Sequence, residues 1–110
     1  MGLFDFLKKK YETISPEQAK AAQDAGAMLI DVRESSEYRS GHAPGAKLIS
    51  LGSLPNKFNE IPKERDILVI CQSGMRSAQA AGILARTGYR VKNVSGGMAN
   101  WSRSGLRVIS

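Results

Sequence analysis

The sequence predicts an α/β domain built on a mainly parallel central sheet with helices on both faces. Three observations carry this reading. Short, nearly continuous apolar runs, MLIDV at 28–32 and ILVI at 67–70, read as strands buried on both faces. Segments of helical period, PEQAKAAQDA and SAQAAGILART, alternate with those runs. The 110 residues, 42% of them apolar, suit a single core.

Each element follows from local chemistry. Residues 1–10 (MGLFDFLKKK) form a short amphipathic extension, with Leu3, Phe4, Phe6 and Leu7 ahead of Lys8 to Lys10. So short a helix is marginal alone, and surface binding usually needs more apolar area or a lipid. The myristoylation pattern fails at Phe6. Packing on the domain or fraying is expected here, and membrane contact is not. Residues 11–110 are expected to form the domain itself. Ser15 is an N-cap with Pro16 at the first helical position, and Gln18 completes a capping box. This alanine-rich helix should end near Gly26. Met28 to Val32 is the first strand. Glu34 to Ser40 is a short helix closed by Gly41, and Ala46 to Ser50 is a second short strand. Leu54 to Asn59 suggests a helical turn before Pro62. Ile67 to Ile70 is the third strand. Ser77 to Thr87 is a helix with Gly88 at its C-terminus, Val91 to Val94 the fourth strand, and Gly97 opens a last helix ending near Gly105.

Composition bounds the function. A single cysteine excludes an internal disulfide framework and a cysteine-based zinc site, and it suits a reducing compartment. No apolar run approaches the roughly 18 residues of a spanning helix, and the order of apolar and basic residues at the N-terminus reverses that of a secretory signal. A soluble cytoplasmic protein is expected, and nothing calls for more than a monomer. Net charge is +6. Residues 1–66 carry ten Lys/Arg and ten Asp/Glu, whereas residues 67–110 carry Arg76, Arg86, Arg90, Lys92, Arg103 and Arg107 and no acid. These cations are spread thinly and lack aromatic interleaving, so nucleic acid is not the expected partner. They would instead attract small anions and favour a thiolate.

The chemistry concentrates at CQSGMRS, Cys71 to Ser77. Ligands of open α/β sheets bind beyond the carboxyl ends of the strands, and Cys71 is predicted there. Backbone N–H groups of the following loop can converge on one point, and the helix start adds partial positive charge. Gly74 permits a backbone conformation closed to other residues. Arg76 supplies a forked donor for an oxyanion. Gln72, Ser73, Gly74, Met75, Arg76 and Ser77 are therefore candidate anion-binding residues around a nucleophilic Cys71. Ser73 and Ser77 can donate to the sulfur, although Ser77 could instead cap its helix. Met75 suits either an apolar surface or the mouth of the site. A buried, inert cysteine is the competing reading, and a strand end followed by Gln-Ser-Gly is a poor place to bury one.

Four ordered motifs, spread over about residues 11–107, resemble those of single-domain rhodaneses. LIDVRESSEY resembles the family's apolar-Asp-Val-Arg segment. GHAPGA, Gly41 to Ala46, resembles its Gly-His-Ile-Pro-Gly-Ala with Ala43 in place of isoleucine. CQSGMRS resembles its Cys-x-x-Gly-x-Arg-Ser loop, and Gly96 to Trp101 its terminal Gly-Gly-x-x-x-Trp. The resemblance implies a rhodanese-like fold and a thiosulfate sulfurtransferase that uses no cofactor or metal. Cys71 would take the outer sulfur of thiosulfate or a persulfide donor and pass it to cyanide or a thiol. The loop N–H groups would stabilise the persulfide, and Arg76 would attract the donor and the departing sulfite. It also implies a structural role for His42. Asp31 and Arg33 follow a buried strand and could form an ion pair or touch the cradle; Arg33 is the better functional candidate of the two, and support of the loop is the expected role. Trp101 is expected to pack in the core or at its rim. The alternative is a persulfide carrier or interaction module serving a protein acceptor. Phosphatase or arsenate reductase is disfavoured: related phosphatases place five residues between cysteine and arginine, and here there are four.

Overall fold

A computed structural model describes residues 11–110. The expectations for residues 1–10 lie outside the described residues. The elements run β1 (Glu12–Ile14), α1 (Pro16–Asp24), β2 (Met28–Asp31), α2 (Ser35–Ser40) and β3 (Lys47–Leu48). Two 3₁₀ turns follow (Leu51–Asn56, Phe58–Glu60), then β4 (Ile67–Ile70), α3 (Met75–Arg86), β5 (Val91–Val94) and α4 (Gly97–Arg103). The five strands are parallel, in the order β1-β5-β4-β2-β3.

The two-sided burial expected from the apolar runs is present. Ile67 and Val69 of β4 join Ile30, Val91 and the α3 residues Ala80, Ala81 and Leu84 on one face. Leu68 and Ile70 join Leu29, Val94, Ala19 of α1 and Met98 and Trp101 of α4 on the other. Successive strand residues point to opposite faces. β4 therefore needs an apolar residue at every position, and each one it buries fully stabilises the fold by about 1.5–3 kcal/mol. Trp101 is a core residue whose Nε1–H donates to the Arg107 carbonyl at 2.9 Å. No helix among the described residues is long and apolar enough to cross a membrane.

Four local expectations are corrected. β1 was not foreseen: it is three residues long, only Ile14 is shielded from full exposure, and it exists by pairing with Lys92 to Val94. β2 ends at Asp31, although the Val32 N–H still reaches the Ile70 carbonyl at 2.9 Å. β3 shortens to Lys47–Leu48. α3 begins at Met75, two residues before the expected Ser77, because Gly74 at φ +106° serves as its N-cap. The capping box of α1 forms as read, with Ser15 and Gln18 exchanging bonds at 2.9 and 3.1 Å.

Candidate active site

Cys71 follows directly on β4, in step with Ile67 and Val69, so its side chain points to the α3 face. The left-handed turn at Gly74 folds the chain back over it and starts α3. The sulfur then receives the Gly74 N–H at 3.1 Å and the Ser77 hydroxyl at 3.3 Å. Ser77 lies inside α3 and donates to the sulfur, which replaces the alternative of a helix cap.

Cys71 is buried, with 1% of its surface exposed. This corrects the expectation that a cysteine at this strand end would stay accessible. Burial pushes the thiol pKa up. The Ser77 hydroxyl and the backbone N–H groups of Ser77, Gly74 and Ser73 more than offset it, and the net direction is below the ordinary thiol value. An inert buried cysteine would be matched by apolar neighbours alone, whereas this sulfur has donors aimed at it. Replacing Ser77 by alanine should therefore move the midpoint of the Cys71 alkylation–pH curve upward. At neutral pH, reaction with iodoacetamide should slow roughly tenfold, the scale of one hydrogen bond to a charged acceptor. An unchanged curve would remove Ser77 from this role.

A clamp behind the loop fixes its shape. The Met98 N–H donates to the Cys71 carbonyl at 2.7 Å, and the Ala99 N–H to the Gln72 carbonyl at 3.1 Å. These first-turn groups of α4 have no partner within their own helix. Their close approach depends on Gly97, which sits at φ +60°. A Cβ there would lie 2.6 and 2.7 Å from the Gln72 carbonyl carbon and oxygen, and closer still to the Cys71 carbonyl oxygen.

Asp31 and Arg33 form a buried ion pair beside the loop, with Nη2 to Oδ2 at 2.8 Å and Nε to Oδ1 at 3.0 Å. Arg33 also donates to the Gly41 carbonyl at 2.7 Å and to the Gln72 side chain at 3.3 Å. It thus joins the end of β2, the Gly41 turn and the loop. His42 is engaged by α2 and the C-terminal segment. Its ring stacks on Tyr38 with centroids 3.7 Å apart, Nδ1 pairs with the Tyr38 carbonyl at 2.7 Å, and its backbone bridges to Ile109. Gln72 and Ser73 are exposed, and Met75 is 78% exposed beside the loop.

Arg76 departs from the expectation of a free forked donor. Its Nη1 and Nη2 bind Glu37 Oε1 and Oε2 at 2.7 and 2.9 Å. The acid-free stretch 67–110 is therefore not free of acid in space. The Arg76 guanidinium, with the Glu34 N–H beside it, holds the Glu37 carboxyl down to about 2. Glu37 was legible only as one letter of the LIDVRESSEY segment. Asn93 was also missed. It shares a strand face with buried Val91, its Nδ2 approaches the Gly74 carbonyl at 3.4 Å, and its Oδ1 is buried without a partner among the described residues. A polar residue at an inward position of β5 was the available signal.

This geometry gathers a shielded sulfur, donors converging on it and a helix start. Known proteins resemble this chain over most of its length. The family model described as Rhodanese-like domain matches residues 15–104. A sulfurtransferase of Allochromatium vinosum is 37% identical over 92 residues, which cover 83% of this chain and 86% of that protein. The thiosulfate sulfurtransferase GlpE of Actinobacillus pleuropneumoniae serotype 3 is 33% identical over 104 residues, covering 93% and 96%. The crystal structure of a rhodanese-related protein from Thermoplasma volcanium superposes with a TM-score of 0.85 at 28% identity, covering 90% of this chain and 98% of that one.

Proposed function

The chain belongs to the rhodanese-like domain family and to its sulfurtransferases, and from that premise we propose that it moves sulfane sulfur through a persulfide on Cys71. Residues 11–110 are the proposed working unit, and a cytoplasmic setting, where thiol acceptors abound, is proposed for it. The Cys71 thiolate attacks the outer sulfur of thiosulfate. A new S–S bond forms as the old one breaks, and sulfite leaves with the bonding electron pair. The acceptor, cyanide or a thiolate, then attacks the outer persulfide sulfur. Thiocyanate or a new persulfide departs, and the Cys71 thiolate returns. Atoms and electrons balance among these partners without a cofactor.

The observation that carries the reading is the pair of donors on the sulfur, the Gly74 N–H and the Ser77 hydroxyl. The same donors suit the negative outer sulfur of a persulfide, as an oxyanion hole suits oxygen. Four residues separate Cys71 from Arg76, and a loop closed this tightly on sulfur weighs against a tetrahedral phosphate. Donor and acceptor should therefore be used in turn. Initial rates at varied thiosulfate and cyanide should give parallel double-reciprocal lines. Lines converging to the left of the axis would require both substrates to bind at once and would overturn the mechanism.

A further inference from the structure

Glu37 and Arg76 lie 39 residues apart in sequence and meet beside the loop through two charge-assisted bonds. Both side chains remain about one-third exposed, 33% and 37%, so the pair lies where an entering solute can meet it. Arg76 immediately precedes Ser77 in the first turn of α3, and the Cys71 thiolate lies within reach of its charge. Its fork is filled by Glu37, and Glu34 adds a second negative group within electrostatic range. The other guanidinium at the loop, Arg33, is tied to Asp31. Arg39, also on α2, donates to the Ser35 hydroxyl at 2.6 Å. Among the described residues, Arg33 and Arg76 at the loop are thus each matched by a carboxylate, and an entering dianion meets a paired cation.

We infer that Glu37 is a specificity-determining residue that filters sulfur donors by charge, disfavouring small dianions such as thiosulfate against persulfide donors of lower charge. The inference rests on the reading of Cys71 as the sulfur-accepting nucleophile. Glu37 acts through Arg76: it fixes the guanidinium in place and cancels most of its field at the mouth of the loop.

Alkylation of Cys71 tests the filter without sulfur transfer. Iodoacetate is an anion and iodoacetamide is neutral, and both report on the same sulfur. In Glu37→Gln the amide oxygen can still accept the Glu34 N–H, so helix α2 keeps its start. The ratio of iodoacetate to iodoacetamide rates should rise about threefold or more at low salt and fall back as salt is added. Glu37→Asp should keep a ratio near that of the unaltered protein. Loading of sulfur from thiosulfate should accelerate in the glutamine variant while loading from an alkyl persulfide changes less. A merely structural role would move both alkylation rates together, and an unchanged ratio would overturn the inference. A shifted ratio in a protein that loads no sulfur from either donor would uphold the charge filter and refute the transferase reading. Loading with no change of ratio would do the reverse.

Discussion

Replacing Gly97 by alanine is expected to destabilise the protein by about 3 kcal/mol or more and to lower its melting temperature by roughly 10 °C or more. Two costs combine. Gly97 holds φ +60°, which a side chain resists. The added Cβ would also press on the Cys71 and Gln72 peptide atoms. Those atoms are the exit of β4, the strand packed on both faces, and cannot yield as a flexible side chain would. Relief requires α4 to withdraw, which breaks the Met98 and Ala99 bonds to the loop carbonyls. Thermal denaturation followed by circular dichroism measures the first effect. Cys71 alkylation should slow in parallel, because the loop donors lose their fixed aim. A variant with unchanged melting and unchanged reactivity would show that α4 does not hold the loop.

Cys71→Ser should have the opposite profile. Turnover of thiosulfate and cyanide is expected to fall by about 10⁴-fold or more, since the serine hydroxyl is neither ionised near neutral pH nor able to carry sulfane sulfur. Stability should change little, by about 1 kcal/mol. The smaller oxygen stays within the same set of donors, the Gly74 N–H and the Ser77 hydroxyl, so the buried polar atom is not orphaned. If Cys71 served only as a small buried hydrophobe, this substitution would cost stability and spare turnover. Steady-state rates and melting curves on one preparation separate the two. Turnover above a tenth of the unaltered rate would remove Cys71 from the chemistry.

The fold and the site were unevenly legible in the sequence, for physical reasons. β2 and β4 could be read because a strand covered on both faces must be apolar at nearly every position, as Ile67 to Ile70 are. β1 could not, because Glu12 and Thr13 are exposed and the strand depends on pairing with β5. Cys71 and its loop were legible as a structural feature because a strand end, a glycine able to turn left-handed and a helix start are all local. The burial of Cys71 was not, because it arises from the chain folding back over the sulfur and from α4 packing behind it. The Asp31–Arg33 pair could be suspected at a spacing of two. The Glu37–Arg76 pair joins segments far apart in sequence, which only the folded chain brings together. The need for Gly97 was visible as a motif letter, and its cause is a tertiary contact with the backbone of another loop.

The most direct test of the central claim is the intact mass of the protein after brief exposure to thiosulfate and again after cyanide. The account expects a gain of one sulfur atom, mapped to Cys71, and its loss to cyanide with an equal amount of thiocyanate formed. A protein that turns over thiosulfate and cyanide while its mass never changes, or whose added sulfur lies on another residue, would contradict it.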